Sequence, residues 1–318
     1  MHNTIQLNNL TIGYFEKGKR RKIIAQEICA TLYGGQLTCL LGKNGAGKST
    51  LLRTLSAFIS PLKGEIVVKG KPLAEYSDKE RARLIGVVLT ERPELQHMTV
   101  HELVAMGRSP YTGFWGTLSK EDKALVDEAL RMVGMDTMAT QMVDTLSDGE
   151  RQKVMIAKAW AQQTPVIFLD EPTAFLDYPS KMETMLLLRR LAHETGKIIF
   201  LSTHDVELAL QTADTLWLMK RVRYKEPCVN MGNSSSVDSI EPLLEYRGTD
   251  VQYSSASSIS STDKTTGKEE SSSINKQINS PLTIGSPSEL ADNGALESFF
   301  TGELFVFDKG EMRFRINM

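Results

Sequence analysis

The sequence predicts an α/β fold built on a mostly parallel sheet, and three observations carry that expectation. Two continuous apolar runs, Val166 to Leu169 and Ile198 to Leu201, are bounded by polar residues, the pattern of strands buried on both faces. Segments of helical periodicity alternate with the strand-like runs. A glycine-rich loop joins the apolar run Thr38 to Leu41 to a helical pattern that opens at Lys48.

The elements follow in order. Ile5 to Ile12 alternates imperfectly, Ile23 to Leu32 follows, and Gln36 to Leu41 is a short apolar run ending in glycine; all three read as strands. Helical patterns begin at Lys48 and recur over Val100 to Met106 and Glu121 to Val133. Another covers Gly149 to Gln163, with apolar residues at Val154, Ile156, Ala157, Ala159 and Trp160. The helix-rich stretch interrupts the alternation and predicts a helical subdomain over about 92–162. Residues 230–285 are rich in Ser, Thr, Gly and Asn, including Ser254, Ser255, Ser257 and Ser258. Such composition buries too little apolar surface to offset its ordering entropy, so a flexible insertion is expected there. Order is expected to resume near Pro287, with a helix over Ser288 to Phe300. A hairpin of Leu304 to Phe307 and Met312 to Ile316 then turns at Asp308-Lys309-Gly310. The expected division is therefore 1–229, 230–285 and 286–318.

Bulk properties narrow the class. With 318 residues there is ample material for a core, and a net charge of −2 lacks the basic footprint of a nucleic-acid binder. The one dense basic run, Lys17, Lys19, Arg20, Arg21 and Lys22, reads as a solvated loop between strands or as a contact for anionic lipid headgroups. Cys29, Cys39 and Cys228 have no metal-ligand spacing and read as reduced thiols of a cytosolic protein. No stretch approaches the ~20 apolar residues of a membrane span, and the polar start Met1-His2-Asn3-Thr4 is unlike a signal peptide. Any membrane role is expected to come through a partner.

The strongest chemical signal is Gly42-Lys43-Asn44-Gly45-Ala46-Gly47-Lys48-Ser49, a full match to the phosphate-binding loop in its strand-to-helix context. Its glycines let backbone N–H groups close around a β-phosphate, and the helix N-terminus adds its dipole. Lys48 is expected to reach the β- and γ-phosphates and Ser49 to ligate Mg²⁺, with Thr50 next in the nucleotide-binding set. The bland alternative is a glycine-rich turn that binds nothing. Downstream, Val166 to Leu169 ends in Asp170-Glu171. Asp170 sits where a residue that holds magnesium indirectly, from outside its inner ring of ligands, belongs, and Glu171 is placed to polarise an attacking water. Alone, the acidic pair would equally serve as a helix cap. Together with the phosphate loop, it predicts an ATPase.

Between them lies Leu146-Ser147-Asp148-Gly149-Glu150-Arg151-Gln152, opening a helix. The order phosphate loop, helical insert, Leu-Ser-x-Gly, strand-Asp-Glu and then His204 resembles the ATP-binding cassette (ABC) family over about residues 3–221. The resemblance implies a P-loop cassette with a mixed, mostly parallel sheet core, an N-terminal antiparallel β region and a helical subdomain. It also implies a homodimer holding two ATP molecules, each between one copy's phosphate loop and the other's signature. Ser147 and Gly149, with the neighbouring Asp148 and Glu150, would then approach the γ-phosphate across the dimer, and His204 would also contact it. Tyr14 resembles the aromatic that stacks on adenine, although it also reads as a core residue; His204 alone could be a strand-end cap. Ala174-Phe175-Leu176-Asp177 resembles the loop that links the two sites.

Three departures stand out. Asp148 and Glu150 occupy positions where the family usually has Gly and Gln. Ser147 and Glu150 also fit a helix capping box, which would make Glu150 structural. Glu91 stands near the family's usual Gln and could offer magnesium an oxygen, or be a solvated acid before Arg92 and Pro93. The segment Met98 to Tyr111, with Trp115 to Ser119 and Asp122, is similar to cassettes that import ferric siderophores, haem or cobalamin. That likeness implies a multi-span permease as partner, indirectly a substrate-binding protein, and a peripheral place on the cytoplasmic face of the cell membrane. A metallocluster-assembly scaffold and a catalytically weak regulatory cassette are the alternative readings.

Overall fold

The computed structural model describes residues 4–15, 21–90, 97–113, 116–224, 242–243, 280–300 and 305–316. β1 (Thr4–Phe15) pairs antiparallel with β2 (Arg21–Tyr33), Ile5 facing Leu32 and Tyr14 facing Lys22. The imperfect alternation of β1 has a local cause. Register shifts between Leu7 and Leu10 let Ile5, Leu7, Leu10 and Ile12 all point inward although their spacing is not uniform, and Asn9 takes a φ of 47° there. After β3 (Leu37–Leu41) and α1 (Lys48–Leu55), β4 (Lys63–Val68) and the two-residue β5 (Lys71–Pro72) complete a four-stranded antiparallel sheet, ordered β2-β1-β4-β5. Arg21 and Lys22 open β2 on its exposed side; Lys17, Lys19 and Arg20 lie outside the described residues.

The chain then builds α2 (Asp78–Leu84), β6 (Ile85–Val88), α3 (Val100–Ala105), α4 (Lys120–Met132) and α5 (Asp148–Ala161). Next come β7 (Val166–Asp170), α6 (Tyr178–Thr195), β8 (Ile198–Thr203), α7 (Val206–Thr212) and β9 (Thr215–Met219). The short strands β10 (Arg223–Tyr224) and β11 (Pro242–Leu243) pair with each other. β12 (Leu282–Gly285), α8 (Pro287–Asp292), α9 (Ala295–Phe300) and a hairpin of β13 (Phe305–Asp308) and β14 (Arg313–Ile316) end the description.

The central sheet is ordered β12-β9-β3-β8-β7-β6. All its pairings are parallel except that of β12 with β9. Its strands from β3 to β9 are rich in apolar residues because each feeds two cores. Ile167, Leu169, Ile199, Leu201, Leu216 and Leu218 face the core shared with α3 to α7. Val166, Phe168, Ile198, Phe200 and Trp217 face the core shared with α1 and the antiparallel sheet. There Phe200 meets both Phe168 and Trp217 edge-on, at centroid distances of 5.9 and 5.1 Å.

Two boundaries differ from the sequence reading. The expected single helix over Ser288 to Phe300 is two helices, because Gly294 takes a φ of 73° and Asn293 Oδ1 accepts the N–H of Ala295. The expected insertion at 230–285 includes β12, whose four residues pair with Met219 through Leu216. A strand this short is formed by its partner and was swamped by the surrounding serines. The remaining Ser-rich stretch, 244–279, and Glu91 lie outside the described residues. Among the described residues no helix is long and apolar enough to cross a membrane.

Candidate functional site

Strands β3, β8 and β7 are neighbours and parallel, so their C-terminal ends open on one side of the sheet, where open α/β folds hold ligands. The loop after β3 is the predicted phosphate loop. Gly47 takes a φ of 107°, and a Cβ there would lie 2.4 Å from Ile24 Cγ2, so only glycine fits. Lys43, Asn44, Gly45 and Ser49 are exposed, while Ala46 and Thr50 are buried. Helix α1 begins without a side-chain cap, which leaves its first N–H groups and its dipole available to an anion. Buried Lys48 donates from Nζ to the Gly42 carbonyl at 2.8 Å. Burial pushes its ammonium below the usual lysine range, and the Glu171 and Asp170 carboxylates pull it partly back.

The two carboxylates stand at the end of β7. Asp170 Oδ1 accepts Ser202 Oγ at 2.6 Å and Ser49 Oγ at 3.4 Å, and the Asp170 carbonyl accepts Thr90 Oγ1 at 2.6 Å. Glu171 adopts a φ of 47°. Its N–H is held by the Ser202 carbonyl at 3.1 Å and the Ser202 hydroxyl at 3.0 Å. His204 Nδ1 lies 3.4 Å from Glu171 Oε1. The sequence-predicted Lys48, Ser49, Asp170, Glu171 and His204 thus converge. The hydroxyl of Ser49 and carboxylate of Asp170 are hard oxygen donors beside an anion cradle, a set that fits Mg²⁺.

Tyr14, at the end of β1, shares a hydrogen bond between its hydroxyl and that of Thr50, and the residue is 38% exposed. The signature residues occupy another surface, the N-terminus of α5. Ser147 and Glu150 form the capping box. Glu150 Oε2 accepts the Ser147 N–H at 2.9 Å and its O–H at 2.7 Å, and Ser147 Oγ accepts the Glu150 N–H at 3.3 Å. Those bonds from Ser147 hold the Glu150 carboxyl below its usual range. Asp148 is exposed, and a Cβ on Gly149 would lie 3.2 Å from Ser180 Oγ, so this helix end packs on the start of α6. Asp177 caps α6 by accepting the Ser180 N–H at 3.1 Å.

Sequence reasoning missed two features. Ser202 is fully buried and bonds the Asp170 carboxylate and the backbone N–H of Glu171. The available signal was a hydroxyl pair, Ser202-Thr203, closing an apolar strand, where buried hydroxyls must find partners. Asp205, beside His204, accepts Lys181 Nζ at 3.0 Å and Thr173 Oγ1 at 3.1 Å, tying the strand end to α6.

The comparisons with known proteins agree with this geometry. A family model described as ABC transporter matches residues 25–174. An uncharacterized ABC transporter ATP-binding protein of Methanocaldococcus jannaschii is 41% identical over 216 residues, covering 68% of this chain and 73% of its own. The ferric enterobactin transport ATP-binding protein of Escherichia coli is 38% identical over 207 residues, covering 65% of this chain and 74% of its own. A solved structure described as the dimeric form of a bacterial ABC transporter cassette superposes with a TM-score of 0.59 at 27% identity, covering 68% of this chain and 94% of that one. The site therefore defines a P-loop ATPase. The chain belongs to the ABC transporter family, as one of its ATP-binding subunits.

Proposed function

We propose that this chain drives import of an iron(III)–siderophore, haem or cobalamin by hydrolysing ATP as a homodimer beneath a multi-span permease. The observation that carries the reading is the convergence of Lys48, Ser49, Asp170, Glu171 and His204 at the ends of adjacent strands. The ferric enterobactin relative and the likeness of Met98 to Tyr111 to such importers support the substrate class. In this reading the chain sits peripherally on the cytoplasmic face of the membrane, and a substrate-binding protein selects the cargo.

Each residue then has a task. The N–H groups from Gly42 to Thr50 hold the β-phosphate, and Lys48 leaves the Gly42 carbonyl to meet the β- and γ-oxygens. Tyr14 stacks on adenine. Ser49 and Asp170, with Glu91 as a further candidate, hold Mg²⁺, which when bound neutralises charge on the phosphate oxygens. Glu171 orients and polarises the attacking water, and His204, 3.4 Å from that carboxylate, contacts the γ-phosphate. Ser147, Asp148, Gly149 and Glu150 face the partner copy's nucleotide, and Asp177 fixes the loop between the two sites. Closure of the dimer on ATP moves the permease, and hydrolysis resets it.

Glu171→Gln is expected to slow hydrolysis by at least ~10²-fold while ATP binding survives. Gel filtration with ATP should then show a persistent dimer. Near-normal turnover would remove Glu171 from this role.

A further inference from the structure

We infer that Ser202 is a positioning residue that sets both carboxylates of the site through one hydroxyl. The inference rests on the proposed roles of Asp170 and Glu171. Ser202 lies on β8 between its parallel neighbours, opposite Asp170 of β7 and Leu40 of β3, so the strands fix its backbone on both sides. Its side chain is fully buried. A serine hydroxyl has one proton to give and lone pairs to receive with. Here the Glu171 N–H donates to Ser202 Oγ at 3.0 Å, and Ser202 Oγ donates to Asp170 Oδ1 at 2.6 Å. The two bonds run in one direction and polarise each other.

Each end of this relay has a chemical consequence. At Asp170, the bond fixes the carboxylate with Oδ1 turned toward the Ser49 hydroxyl, so that these two oxygens would together hold Mg²⁺. At Glu171, it stabilises a left-handed φ of 47° that a glutamate rarely adopts, and with it the direction in which the side chain leaves the strand end. The Ser202 carbonyl adds a second acceptor for the same N–H at 3.1 Å. Cation affinity and water activation are therefore set by the same atom, and its loss should weaken both.

The test compares Ser202→Ala, Ser202→Cys and Asp170→Asn with the wild type, full chain in each case. ATP affinity is measured with Mg²⁺ and with EDTA, beside steady-state turnover. For Ser202→Ala the enhancement of ATP affinity by Mg²⁺ should fall about 10-fold, and kcat by about 10- to 100-fold, as expected for a lost bond to a charged group. Affinity in EDTA should stay within about two-fold of wild type, a split that general loosening of the fold would not produce. Ser202→Cys, close in volume but a weak donor, should follow alanine and covers the case of an unfolded alanine variant. Wild-type Mg²⁺ enhancement in the folded serine variants, or equal losses in Mg²⁺ and EDTA, overturns the inference. If Asp170→Asn loses the enhancement and the serine variants keep it, only the role of Ser202 fails. If Asp170→Asn also keeps it, the assignment of Asp170 itself fails.

Discussion

Two acids in the first turn of α5 act on different things. Glu150 is tied to Ser147 by three hydrogen bonds and serves the helix. Glu150→Gln keeps an acceptor for the Ser147 N–H and should change stability by less than about 1 kcal/mol, whereas Glu150→Ala should cost about 1 kcal/mol in a urea titration. Asp148 is exposed at the first helical position, where its charge favours the helix dipole by about 0.3–1 kcal/mol. Facing a partner's triphosphate, the same charge repels. Asp148→Asn, placed in the Glu171→Gln background, should therefore melt slightly lower yet dimerise with ATP at several-fold lower concentration in sedimentation; unchanged dimerisation would refute the contact. Lys197 offers a pH test. Burial lowers its ammonium to about 8, while its Nζ donates to the Thr164 carbonyl at 2.6 Å and lies 4.9 Å from the Trp160 ring centre. Between pH about 8 and the ordinary value of 10.5 the unfolded chain binds the extra proton, so stability should rise with pH across that window. Lys197→Met should lack this slope when both are unfolded in urea at pH 7.5 and 10. At this scale the sequence revealed Lys48, Asp170, Glu171 and His204, because short motifs carry them. It concealed Ser202, whose bonds to the Asp170-Glu171 pair span 31–32 positions and leave no local pattern.

The starts of α3, α4, α5 and α8 fall at or within one residue of the expected positions, whereas α2 was not expected; all five open with the same capping box, a Ser or Thr followed three residues later by an acid. The box of α4 does a second task. Its acid, Asp122, also accepts Arg108 Nε at 2.8 Å, and Arg108 Nη1 donates to the Ala161 carbonyl at 2.8 Å. The guanidinium lies 4.0 Å from the Tyr111 ring centre, and Arg83 of α2 approaches the same ring at 4.9 Å. Gly107 is required just before this joint, because a Cβ would lie 2.3 Å from the Lys158 carbonyl. Arg108→Leu strands a buried carboxylate and should cost about 3 kcal/mol, seen as a lower midpoint in urea; Arg108→Leu with Asp122→Leu should recover part of it. Arg108 holds the Asp122 carboxyl below its ordinary 3.8, so this contribution is present above that pH and is lost as pH falls through the lower folded value. What the sequence did not show was where a helix breaks or a strand is borrowed. The Asn293-Gly294 break interrupts an otherwise helical pattern, and β12 exists only against β9.

For the whole molecule, the sheet divides two cores, and every strand from β3 to β9 in it must satisfy both. That is why its apolar runs were so readable while the returning segment was not. Leu282, Leu290, Leu296 and Phe299 are nevertheless buried, so the stretch after 280 packs into the two cores. Replacing 244–279 by a Gly/Ser linker should leave the melting temperature and ATPase rate nearly unchanged, as the serine-rich composition predicts. Carrying the replacement through Gly285 removes β12 and should cost at least about 2 kcal/mol from Leu282 alone. The two ends of that excursion meet: the Lys220 N–H donates to the Pro281 carbonyl at 2.8 Å. The chain thus leaves the sheet and returns to the same spot, which makes the junction a port for foreign cargo. A fluorescent domain with neighbouring termini, grafted between the two, would hang from the end of β9. The carbonyl of Met219 there lies 2.8 Å from where a Cβ on Gly42 would be, at the first residue of the phosphate loop. A reporter so placed would brighten or dim with nucleotide occupancy, turning the motor into its own fuel gauge.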